Sequence, residues 1–188
     1  MKLSQLLAAH KVASTGYPAI AGLGAYSTGE TTAILSALPA PVLHAQGITE
    51  YYSLVLPRGT QFNASQEIVD ADPEVKKYKI EAVDTTDMPI VVTTQHQATL
   101  DFLADLHPNA EVLEQKQPDG KPRNLSAADV AGKHVIGVLP PFLIAAAGAF
   151  TSASITGYNA VTDGDLSGDE LRDRIRIADQ AITVKEVQ

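Results

Sequence analysis

The stretches LPAPVLHAQG (residues 38–47) and LPPFLIAAAG (residues 139–148) each open with Leu-Pro, carry an apolar, helix-like body and close with glycine. Proline is tolerated in the first turn of a helix but not in its interior, so each stretch reads as a turn into a short helix. Ahead of the first, TTAILSAL (31–38) has the apolar run of a buried strand. Behind it, YYSLVLP (51–57) is a second strand, stopped by Pro57-Arg58-Gly59. NASQEIVDADPEV (63–75) follows as a short helix entered through Asn63 with Gln66 three residues on, and KYKIEAV (77–83) as an alternating strand.

The second Leu-Pro stretch has similar surroundings. PIVVTT (89–94) is an apolar strand of the buried parallel type. QATLDFLADLH (97–107) is a helix with Leu100, Leu103 and Leu106 on one stripe. EVLEQ (111–115) is a strand candidate, QPDGKPRN (117–124) an exposed turn loop and SAAD (126–129) a capping box. KHVIGVL, the Leu-Pro helix, SASITGYNAV, LSGDELRDRIRI and AITVKEV then give strand, helix, strand, helix and strand. Residues 1–30 hold one amphipathic stretch, MKLSQLLAAHKV, and a segment rich in small residues that has no clear assignment.

Set against each other, the halves repeat. Phe62–Val83 aligns with Leu166–Val187 without a gap, so that Asn63 and Gln66 fall on Ser167 and Glu170, and KYKIEAV on AITVKEV. The Leu-Pro stretches also align without a gap. The order of elements, the caps and the terminal strand all recur, which points to a duplication. The expected fold is α/β: two related Rossmann-like units with largely parallel sheets, packed as a pseudo-dimer. Residues 1–87 are the diverged N-terminal copy, in which the opening strand and helix look eroded, and residues 88–188 the complete C-terminal copy.

Bulk composition narrows the function. An apolar fraction of 45% with 19% charged residues is ordinary for a globular protein. The longest apolar run, VLPPFLIAAAGAF, is interrupted by Pro140 and Pro141 and is too short for the roughly 18 residues of a membrane span. No signal peptide is read at the N-terminus, and a cytoplasmic protein is expected. There is no cysteine, which removes disulfides, thiolate metal sites and a Cys nucleophile. A net charge of −8 argues against long nucleic acid as a partner, because such binding is built from Lys and Arg against phosphates. It still permits a compact anion in a small local site.

The C-terminal unit resembles a small single-domain family of ring nucleases encoded beside type III CRISPR systems. In that family a strand ends V-T-R-H, a helix G-A-x-x-W-L follows, and a central G-x-L-P-x-N-L-A precedes an L-S helix start and a final strand. Here TTQHQATLDFL keeps Thr94 and His96 with Gln95 in place of Arg, and GVLPPFLIA keeps Gly137, Leu139, Pro140 and Leu143 with Phe142 in place of Asn. SALPAPVL and YYSLVLPRG in the N-terminal unit fit the later motifs, while its first motif is missing. The resemblance implies binding of a cyclic oligoadenylate second messenger, typically cyclic tetra-adenylate, and its cleavage without a metal or other cofactor. It also implies a monomeric pseudo-dimer or a homodimer, since a pseudo-symmetric ring suits a two-fold arrangement. The two changed motif positions leave a non-catalytic binder, a sponge or sensor, as the alternative; a protein whose halves only hold each other is a third.

Cleavage of such a ring by its own ribose 2′-hydroxyl asks the protein mainly for in-line geometry and charge stabilisation. His96, at the end of a buried strand, reads as a general acid or base with Thr94 beside it, or as a capping or surface histidine. Thr93, Thr94 and Gln95 read as phosphate ligands together with the helix start, or as ordinary strand-end residues. Gly137, Leu139 and Pro140, and Leu38 and Pro39 in the first unit, shape the turns that face the ligand. Phe142 either stacks on adenine or packs in the core. His44 either contributes from the first unit to a composite site or lies on the surface. Basic residues gather at Lys76, Lys77 and Lys79, at Lys116, Lys121 and Arg123, and at Arg172, Arg174 and Arg176, as solvated faces or as a loop over an anion. Metalloprotease spacings, a calcium loop, a phosphate loop and a nucleophile elbow are absent from the sequence.

Overall fold

His10–Thr15 forms a strand that pairs in parallel with Thr31–Ser36, so the small-residue segment after Lys11 opens with ordered structure. The computed structural model describes residues 1–57, 60–115, 123, 125–158 and 166–187. The fold is α/β, with mostly parallel strands, and the chain separates into two compact units, Met1–Ile80 with Lys185–Gln188 and Glu81–Val184. No helix among the described residues is long and apolar enough to cross a membrane.

In the first unit α1 (Leu3–Ala9) leads into β1 (His10–Thr15), α2 (Pro18–Ala21) and a 3-10 turn (Gly22–Tyr26). Then come β2 (Thr31–Ser36), α3 (Ala40–Ala45), β3 (Glu50–Leu54), α4 (Ser65–Ala71) and β4 (Val75–Ala82). The strands lie in the order β1-β2-β3-β4, parallel except for the antiparallel β3–β4 pair. Leu3, Leu6 and Leu7 of α1 are buried at helical spacing and join Ile20, Leu23, Leu35 and Ile68 in one core. Ser14 secures the end of β1, its hydroxyl donating to Ala21 O (2.7 Å) and accepting from Gly24 N (2.9 Å). On β3 and β4 the registered pair Tyr51 and Tyr78 stack at 5.5 Å, and burial pushes the Tyr51 phenol up to about 12.

In the second unit β5 (Ile90–Thr93) is followed by α5 (Gln97–Leu106), β6 (Glu111–Val112), α6 (Ala127–Val130) and β7 (His134–Gly137). Then come α7 (Pro141–Ile144), β8 (Ala149–Ile155), α8 (Gly168–Arg174), β9 (Ile175–Ile177) and β10 (Ile182–Val187). β6, β5, β7 and β8 pair in parallel in that order, and β9 and β10 both run antiparallel to β8. Ala153 faces Ile177 while Phe150 faces Ile182, so the antiparallel partner of β8 carries two extra residues around 178–181. Val92, Leu100, Leu103, Ile136 and Ala153 form a core on one face, and Val91, Val135 and Phe150 are equally buried at the intervening positions.

Both units contain a strand leading into the Leu-Pro helix, then a strand, a helix and a strand antiparallel to its neighbour, while the second unit carries β6 and α6 between α5 and β7 in addition, and β10 after β9. The agreement reaches single bonds: Ala37 N donates to Thr15 O (3.1 Å) and Val138 N to Thr93 O (2.9 Å), each just before its Leu-Pro pair. β1 and α2 lie within and beside the small-residue segment that the sequence left unassigned. They escape notice because only Val12 of β1 is fully buried and α2 is a single turn.

Other expectations need correction. Asn63 is not the cap of α4: Ala64 holds that position, and Asn63 N donates instead to Glu67 Oε2 (3.0 Å). Ile175–Ile177 does not continue α8, which ends at Arg174, because Ile175 and Ile177 alternate with Arg176 and pair with β8. Leu106 lies off the buried stripe of α5, at 52% exposure. The EVLEQ strand is only two residues long. The Ser126–Asp129 capping box is formed as expected, with Ser126 N and Oγ both donating to Asp129 Oδ2 at 2.7 Å. Most of the PDGK loop, with Lys116 and Lys121, lies outside the described residues, as does the end of SASITGYNAV.

His134, the first residue of β7, is buried with Nε2 2.8 Å from Thr151 Oγ1. Desolvation, and then the nearby His107, hold its pKa below the ordinary 6.5. The native state therefore binds fewer protons here than the unfolded chain, and the resulting stability is complete above 6.5 and lost as pH falls through the lower native value. Urea unfolding across this range should show the loss in the wild-type chain and a flatter profile in His134→Gln.

Candidate functional site

The site expected from sequence lies at the carboxyl ends of β5 and β7, where parallel strands turn into α5 and α7. Open α/β sheets bind ligands at such ends. Gly137 makes the close approach of the two strands possible. Its φ is +137°, and a Cβ built there would lie 1.9 Å from Thr93 O. Pro140 is the N-cap of α7 and is exposed, while Leu139 is buried beneath the turn.

Thr93 and Thr94 are interior, at 0% and 3% exposure. The Thr93 hydroxyl donates to Leu113 O (2.6 Å) and accepts from Gln115 Nε2 (3.1 Å), which also donates to Val138 O (2.8 Å). Thr94 Oγ1 accepts from His96 N at 3.4 Å, at the turn into α5. The threonines therefore brace the strand end, and Thr93 does not offer its hydroxyl to a ligand. Gln115, buried and tying β5 to the β7 turn, was missed in the sequence because it follows a short, weak strand.

Gln95 is exposed and His96 half-buried as the N-cap of α5, without a side-chain capping bond. The His96 ring meets the edge of Tyr158 at 5.6 Å and 73°, a T-shaped contact. Nothing in the sequence marked Tyr158 as a neighbour, since more than 60 residues separate it from His96. Phe142 stands out from the first turn of α7 at 67% exposure, which overturns the core-packing reading. Thr99, in the first turn of α5, has a buried hydroxyl with no hydrogen-bond partner among the described residues.

In the first unit Pro39 is the N-cap of α3 and exposed, Leu38 is half-buried, and Ser36 Oγ accepts from Leu38 N (2.9 Å). His44 lies in the last turn of α3, at the far end of that helix from Pro39, so it does not share the Leu-Pro turn. Tyr17 caps α2 as His96 caps α5, and sequence reading passed over it because the helix it begins is so short.

Several basic residues are engaged locally. Lys76 pairs with Glu186 (2.9 Å), Lys77 with Glu50 (2.6 Å) and Arg174 with Glu170 (3.0 Å). Arg174 also donates to Thr156 O and Gly157 O, and Arg176 to Asp173 O and Ile175 O. Among the described residues no group of three or more His, Asp or Glu side chains is arranged to hold a metal ion. No protein-family profile, curated protein or solved structure matches the chain.

Proposed function

We propose that the chain binds a cyclic oligoadenylate, cyclic tetra-adenylate above all, and cleaves it without a metal, so that type III CRISPR signalling is switched off. The observation that supports this reading is the contact of His96 with Tyr158 at the turn from β5 into α5, with Gln95 exposed beside it and Phe142 exposed at the start of α7, which follows the paired strand β7. The ring's own ribose supplies the nucleophile. His96 takes the 2′-hydroxyl proton as the oxygen bonds to the adjacent phosphorus. The bond to the 5′-oxygen breaks and that oxygen takes a proton from water, leaving a 2′,3′-cyclic phosphate and a 5′-hydroxyl. The first amides of α5, which lack intrahelical partners, receive the phosphate with Gln95. In this reading the two units descend from one Rossmann-like ancestor and act as a pseudo-dimer in the cytoplasm.

A second reading, binding without cleavage, draws support from Gln95 and Phe142, which replace the cationic and amide side chains of the family motifs by neutral and aromatic ones. Both readings use Phe142 as a stacking surface. Phe142→Ala should leave folding intact and weaken binding by about 1–3 kcal/mol, the range for one stacked base, as read by a filter-binding titration. Purified protein incubated with radiolabelled cyclic tri-, tetra- and hexa-adenylate in EDTA separates the readings. Linear products from one ring establish the nuclease, a gel shift without products establishes the binder, and neither result with any ring removes both.

A further inference from the structure

The amino end of β7 opens onto a cavity of about 350 Å³, at the opposite end of this strand from the Leu-Pro turn. His134 reaches it from the strand, 8% exposed, with Nε2 committed to Thr151 Oγ1 and Nδ1 without a hydrogen-bond partner among the described residues. His107, Asp179 and Gln180 also line it with side chains that make no hydrogen bond among the described residues, and Asp84 adds a second carboxylate. No lysine or arginine lines the cavity. Ile136 and Ile177 supply an apolar wall.

His134 Nδ1 is not among the enclosed polar atoms that lack a partner, so it is open to the cavity, where water or a ligand can complete it. When Nε2 donates to Thr151, Nδ1 presents a lone pair, and with two carboxylates and the Gln180 amide oxygen the cavity is rich in acceptors. A phosphate or carboxylate ligand would meet the two carboxylates and no lysine or arginine. The volume lies at the small end of ligand cavities. We propose that this cavity binds a compact organic cation, a primary amine or guanidinium on a short aliphatic stem. The cationic head donates to Asp179 and His134 Nδ1, and the stem lies against Ile136 and Ile177. The proposal is independent of cyclic-nucleotide binding at the other end of the strands.

The test is titration of the full chain with agmatine and with 1,4-diaminobutane at neutral pH, followed by calorimetry and by the histidine ring resonances. The expected result is saturable binding at roughly millimolar concentration or tighter, with shifts of the His134 and His107 rings, and a loss of about tenfold in Asp179→Asn. Asp179 is exposed, so that variant keeps its fold. Absence of ring shifts with both amines, an unchanged affinity in Asp179→Asn, or tighter binding of inorganic phosphate or adenosine than of agmatine would overturn the proposal.

Discussion

Under the proposed mechanism, replacement of His96 by alanine is expected to lower cyclic tetra-adenylate cleavage by about 10²–10⁴-fold, the contribution of one positioned acid–base group. Binding should change little, because Phe142, Gln95 and the first turn of α5 remain. The half-buried ring sits at a helix start and touches Tyr158 from one side, so its removal leaves the cores of the unit intact. Single-turnover assays in EDTA, paired with equilibrium binding, measure the two effects separately. A variant that cleaves as fast as the wild type would remove His96 from the chemistry. A variant that neither cleaves nor binds would make His96 a ligand contact instead.

The largest effect on stability is expected from Gly137→Ala. The new methyl group would lie on Thr93 O, which is also the acceptor for Val138 N at 2.9 Å. Relief requires β5 and β7 to separate where Gln115 bridges them. Backbone strain at the positive φ adds to the clash, and the total cost is about 3 kcal/mol or more. Gly132→Ala provides the reference. Its φ is +70°, but a Cβ there meets nothing within 4 Å, so only the conformational cost of about 1 kcal/mol applies. Urea unfolding of the two variants should differ by the steric part together with the greater backbone strain at φ +137°. Equal midpoints would show that the strands yield to the methyl group.

The sequence made the second unit readable because its signals are local and strong. Val91, Val92, Val135 and Ile136 are buried on both faces of their strands, and such strands read as continuous apolar runs. Pro39 and Pro140 start helices for a reason contained in the residue itself. The same reasoning failed for β1, whose pairing with β2 is a tertiary interaction that outweighs a weak local preference. It also failed for Ile175–Ile177, where three residues are too few to distinguish the period of a strand from that of a helix. At the site, a strand ending in Thr-Thr-Gln-His drew attention to His96, but no pattern foretold that Thr93 turns inward to Gln115. Nor could hydrophobicity show that Leu143 would be buried and Phe142 left out, since both begin the same short helix.

The two extra residues between β9 and β10 restrict how this part of the chain can change in length. Side chains along a strand alternate between faces, so an even insertion returns each residue to its original side and an odd one does not. Ile182 and Val184, at 3% and 4% exposure, remain inward because the segment gained two residues rather than one. Relatives of this chain that differ in length here should do so in steps of two, because a one-residue deletion would turn both side chains to the opposite face of the sheet.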